Sequence, residues 1–81
     1  MSGPAQRFVS ELIRAANEVP ALTLLERARL FQRASTAVLD QGGDPHLVHR
    51  LSEYGRLSDD ATDEELSAWL LEAAEIIKGM K

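Results

Sequence analysis

The sequence predicts an all-α protein, a compact bundle of four short helices over about residues 4–19, 23–41, 45–54 and 62–80. Three observations lead there. Apolar residues recur at helical spacing in four stretches. Each stretch is bounded by a capping residue, a proline or a glycine. The loops between them run about three, four and seven residues, short enough for neighbouring antiparallel elements in one domain. No strand-like alternation, internal repeat or low-complexity tract competes with this reading.

The first helix opens at Pro4, whose missing N–H costs nothing in a first turn. Phe8, Val9, Leu12, Ala15, Ala16 and Val19 share one face, with Ile13 at its margin. Arg7, Ser10, Glu11, Arg14 and Glu18 lie opposite, and Pro20 is expected to end the helix. The second begins with Thr23-Leu24-Leu25-Glu26, a capping box. Leu24, Ala28, Phe31, Ala34, Ser35, Val38 and Leu39 form its apolar face, widened by Leu25, Leu30 and Ala37. Only a narrow polar strip of Glu26, Arg29, Arg33, Thr36 and Asp40 remains, so this is expected to be the central helix. Gly42-Gly43 stops it.

Asp44-Pro45, an N-cap followed by proline, opens the third helix. Its apolar face is Leu47, Val48, Leu51 and Tyr54, and Gly55 is expected to end it. A second capping box, Thr62 to Glu65, opens the fourth. Leu66, Trp69, Leu70, Ala73, Ile76, Ile77 and Met80 line that helix at helical spacing, and Lys78 and Lys81 suit its C-terminal end.

At 81 residues, with 44% hydrophobic side chains, the chain supports one small core. It has no cysteine, which excludes disulfides, thiolate metal sites and cysteine nucleophiles. Unbroken apolar runs reach no more than four residues, too few for a membrane span. The N-terminus lacks the pattern of a secretion signal, so a cytoplasmic location is expected. The net charge of −4 is unevenly placed. Residues 1–39 carry five basic and three acidic groups; residues 40–81 carry four and ten. Phosphate backbones repel such a surface, which disfavours nucleic acid as a partner.

The chemistry-bearing constellations are weak. His46, His49 and Glu53 share a helix face at metal-ligand spacing, but on the solvent side and with no fourth ligand, so no metal site is assigned. Asp59 to Glu65 is acidic like a calcium loop, yet lacks its mid-loop glycine and its length. Helices two and three have the spacing of a helix-turn-helix; the second carries one arginine, Arg50, among its reading positions. There is no glycine-rich phosphate loop, GxSxG or HExxH, and a bundle this thin is expected to have little volume for a substrate pocket of about 300 Å³ or more. No catalytic residue and no cofactor are assigned.

Two local anomalies stand out. Arg27 falls inside the apolar arc of helix two, where a charge must snorkel, pair with a carboxylate or face a partner. Leu71 points away from the helix-four stripe, among Glu64, Glu75 and Lys78. Arg29 and Arg33, one turn apart, either clamp a partner's carboxylate or pair within the helix with Glu26 and Asp40. The expected function is a small acidic protein–protein interaction module: a regulator, adaptor or inhibitor whose partner presents a basic surface. Its candidate contact residues are Leu71, Arg27, Arg29, Arg33, Asp59, Asp60, Asp63 and Glu64. The alternatives are a self-associating structural subunit, in which a helical homodimer covers the wide arc of helix two, and a degenerate DNA-binding domain.

Overall fold

Local chemistry fixes the starts of the second, third and fourth helices. In the computed structural model, which describes residues 4–79, α1 spans Pro4–Asn17, α2 Leu24–Asp40, α3 Pro45–Leu57 and α4 Asp63–Lys78. No strand occurs among the described residues. Both capping boxes form. The Glu26 N–H donates to Thr23 Oγ1 at 3.1 Å while Glu26 Oε1 accepts from the Thr23 N–H at 2.9 Å, and Thr62 and Glu65 repeat the exchange. Asp44 caps α3 by accepting from the His46 N–H at 2.8 Å. Each such cap satisfies N–H groups that the first turn leaves unpaired, stabilising the helix by about 1 kcal/mol. At the end of α2, Gly42 adopts φ +72°, and the N–H groups of Gly42 and Gly43 return to the carbonyls of Leu39 and Val38. This is the Schellman closure that the glycine pair predicts.

Three boundaries depart from the sequence reading. The first helix stops at Asn17, and Val19–Ala21 form a separate 3-10 turn around Pro20. Val19, in that turn, is still buried in the core. The third helix runs through Gly55 to Leu57. Gly55 is there because α3 crosses α2 closely: a Cβ at that position would stand 3.2 Å from the Cβ of Phe31. The fourth helix ends at Lys78, capped by Gly79. The places assigned to Met80 and Lys81 lie outside the described residues.

The helices pair as α2 on α3 and α1 on α4, and the two pairs meet chiefly where α2 faces α4. Arg27 on α2 reaches both Val19, just after α1, and Asp63, at the start of α4. The end of α1 therefore lies beside the beginning of α4, and those two helices are antiparallel. The core sits between the pairs: Leu12 and Val19 from the first segment, Phe31 and Val38 from α2, Leu51 from α3, and Leu66 and Leu70 from α4 are all essentially inaccessible. Phe31 is its centre. Its ring meets Tyr54 and Trp69 edge-on at 5.8 and 6.4 Å, while those two stack on each other at 4.6 Å. Edge-to-face and offset stacking are the favoured aromatic geometries and add to the burial itself.

The radius of gyration is 11.6 Å, and the molecule is flat, 31 × 28 × 17 Å. Flatness leaves much of each helix outside. The wide apolar arc of α2 is covered only in part: Leu24, Leu25 and Leu39 are all more than half exposed. The other described helices cover the Phe31–Val38 side of α2; Leu25 and Leu39 lie about 80–120° round from Phe31, and Leu24 stands in the exposed first turn.

Candidate functional site

The candidate contact residues fall into three groups. Asp59, Asp60, Asp63 and Glu64 are exposed around the start of α4, within the turn and first helical turn that Thr62 caps. Their carboxylates meet the positive end of the α4 dipole, which favours them there on structural grounds alone. Leu71 lies farther along the same helix and is 43% exposed. It shares the outward face with Glu64, Ala68, Glu75 and Lys78, all exposed at positions three and four apart. The three arginines stand on α2, and of them only Arg27 reaches the acidic residues, at Asp63.

Arg27 is turned inward, with its side chain only 13% exposed. Its Nη2 donates to the Val19 carbonyl at 3.3 Å and stands 3.9 Å from Asp63 Oδ1. Its Nε is buried with no hydrogen-bond partner among the described residues. Of the three fates open to a charge in an apolar arc, pairing is the one observed: Arg27 ties the end of α1 to the start of α4.

Arg33 corrects a second expectation. It makes no pair within its own helix. Instead its Nη1 and Nη2 donate to the two carboxylate oxygens of Glu11 on α1, at 2.9 and 3.0 Å. Its guanidinium also lies 4.5 Å from the centroid of the Phe8 ring. The forked, planar guanidinium suits both contacts at once. Glu26 and Asp40 each stand seven residues from Arg33, two turns along the helix and out of its reach, and Glu26 is occupied by the capping box. Its acceptance of the Thr23 N–H, and then of the Thr23 side-chain contact, holds its carboxyl below the ordinary range. Arg29 is exposed and makes no ion pair with any described residue.

Two features escaped the sequence reading. The first is a network on the α3–α4 seam. Tyr54 donates its hydroxyl to Glu72, at 3.1 and 3.0 Å from the two carboxylate oxygens, and Arg50 donates to the same carboxylate at 3.3 Å. Burial, and then the Glu72 carboxylate, push the Tyr54 hydroxyl above its ordinary pKa, with Arg50 opposing. Arg56 is likewise held by Glu53, which also lies 3.7 Å from His49. Both arginines of the would-be recognition helix are thus matched by carboxylates. No group of three or more metal-ligating side chains comes together among the described residues.

The second feature is a groove of ≈ 920 Å³ between α1 and α4, open to solvent. Val9, Ile13, Ala74 and Ile77 supply its apolar lining, and Arg7, Glu11, Arg14, Glu75 and Lys78 its charged rim. Ile13 is among the exposed large apolar side chains. Glu75 and Lys78 belong both to this groove and to the Leu71 face, so the two form one continuous surface. The only sequence signal for it was Ile13 at the margin of the first apolar face. Its lining also includes the polar side chains of Gln6 and Ser10; apolar floor and mixed-charge rim are what a peptide or helix surface packs against. No helix among the described residues is long and apolar enough to cross a membrane. No family model, curated protein or solved structure matches this chain.

Proposed function

We propose that this protein is a non-enzymatic protein-binding module, a regulator, adaptor or inhibitor that acts by occupying a partner's surface. The single observation that carries the reading is the continuous surface formed by the α1–α4 groove and the outward face of α4. It places Ile13 and Leu71, both large, apolar and exposed, among interspersed charges. Apolar anchors with a polar rim are the usual anatomy of a transient protein interface. The acidic turn at Asp59 and Asp60, with Asp63 and Glu64, favours a partner whose facing surface is basic.

The test pairs capture with a structural control. Leu71→Arg is expected to leave the melting temperature nearly unchanged while removing a partner that the unaltered protein retains from its native lysate. A captured set identical for both proteins would end the assignment of this surface. Salt-sensitive binding of duplex DNA at low ionic strength would favour the DNA-binding alternative instead.

A further inference from the structure

The geometry points to a second copy of this chain as the occupant of the outer face of α2, joined by antiparallel, two-fold pairing of α2 with itself about Gln32. This rests on residues separate from the α1–α4 surface and stands or falls independently of it. Leu25 and Leu39 are the most exposed large apolar side chains of the described residues, at 61% and 63%. They are fourteen residues apart, with Gln32 midway. At 100° per residue all three fall within about 40° of one line along the helix. Reversing α2 about Gln32 therefore lays Leu25 of one copy on Leu39 of the other, and does so twice.

The charges on that face obey the same symmetry. Arg29 and Asp40 are exposed on one flank of the stripe, and neither is ion-paired with a described residue. In the reversed pairing, Asp40 of one copy lies level with residue 24 of the other, about 7.5 Å along the axis from its Arg29. Helical side chains lean toward their own N-terminus. Arg29 therefore leans toward the partner's Asp40, and Asp40 leans back toward Arg29. A parallel pairing still lays leucine on leucine but sets the Arg29–Asp40 flanks of the two copies on opposite sides, so the charge match is lost. A shallow groove lined by Phe8, Gln32, Arg33, Thr36, Ala37 and Asp40 runs along the Asp40 flank of the stripe. One helix face is about a tenth of a 5442 Å² surface, the size of a weak, concentration-dependent dimer and not of an obligate one.

The chain has no cysteine, which makes the symmetry axis directly testable. Gln32→Cys places two thiols across the two-fold and is expected to form a disulfide-linked dimer about tenfold faster than Ser52→Cys, an exposed site on α3. By sedimentation, Arg29→Asp alone is expected to weaken association about tenfold, and the swap Arg29→Asp with Asp40→Arg to restore it. Equal cross-linking at the two sites, a swap that fails to restore association, or a monomer at every concentration up to the millimolar range each overturn the pairing. Helicity and melting temperature of each variant verify that the fold survives.

Discussion

Gly55 on α3 sits against Phe31 on α2 so closely that a Cβ on the glycine would lie 3.2 Å from the phenylalanine Cβ. Two opposing effects meet there. A glycine inside a helix costs about 0.5–1 kcal/mol relative to alanine, so Gly55→Ala gains that much locally. Phe31 is fully buried at the centre of the core, and its Cβ moves only with its backbone. The clash wins. Gly55→Ala is expected to destabilise the protein by about 1 kcal/mol net, and Gly55→Leu by about 3 kcal/mol or more, in urea denaturation. A stabilised Gly55→Ala would show that α3 can move away from α2 at little cost.

Leu70 and Leu71 are neighbours in sequence with opposite environments, one inaccessible and one 43% exposed. Leu70→Ala leaves a hole between α4 and the rest of the core and is expected to cost about 2–5 kcal/mol. Leu71→Ala is expected to fall within about 0.5 kcal/mol of zero. Thermal melts of the two variants separate them, and similar losses would mean that the face of α4 carrying Leu71 is packed within the monomer.

The Arg33–Glu11 pair bridges two helices through side chains that are each about half exposed. Solvent screens such a pair, so a double-mutant cycle with Arg33→Ala and Glu11→Ala is expected to give a coupling of about 0.5–1 kcal/mol, falling as salt is raised. Arg33→Lys is expected to recover less than half of it, because an ammonium has no fork to match both carboxylate oxygens. A coupling near zero in dilute buffer would show that Phe8 stacking alone holds the guanidinium.

Tyr54 is the only tyrosine, and its hydroxyl is pushed above the ordinary value of 10.0 by burial and by Glu72. The folded protein therefore keeps this proton after the unfolded chain has lost it. The stabilisation is complete below the unfolded value and is lost as pH rises through the folded one. The tyrosinate absorbance is expected to appear above pH 10, and Tyr54→Phe to lose that alkaline component of the stability curve. Glu26 has the opposite sign. Its carboxyl is held below its ordinary value of 4.5, so the capping box contributes fully above that value and weakens as pH falls through the folded one. Glu26→Gln is expected to flatten the acid limb of the curve; an unchanged acid limb would mean that other carboxylates set it.

Thr23→Ala and Thr62→Ala each remove one side of a capping box and are expected to cost about 1 kcal/mol, additively, because the two caps share no partner. Denaturant midpoints of the single and double variants check this.

The sequence by itself determined the helical class, the four segments, both capping boxes, the Asp44 cap and the glycine closure after α2. Each depends on residues within about one helical turn of one another, so spacing and side-chain chemistry suffice. It also singled out Arg27 and Leu71 as misfits on their helices, since a helical wheel shows which residue violates its own face. Partners distant in the chain were decided by the tertiary structure alone: Arg33 with Glu11, Tyr54 with Glu72, Gly55 against Phe31, and α1 laid along α4 to open a groove beside Ile13. A wheel fixes the direction of a side chain within one helix, but not which other helix, if any, lies in that direction. For the same reason it showed the apolar arc of α2 to be too wide for easy cover by one short chain, but not that Leu25 and Leu39 are the part left exposed.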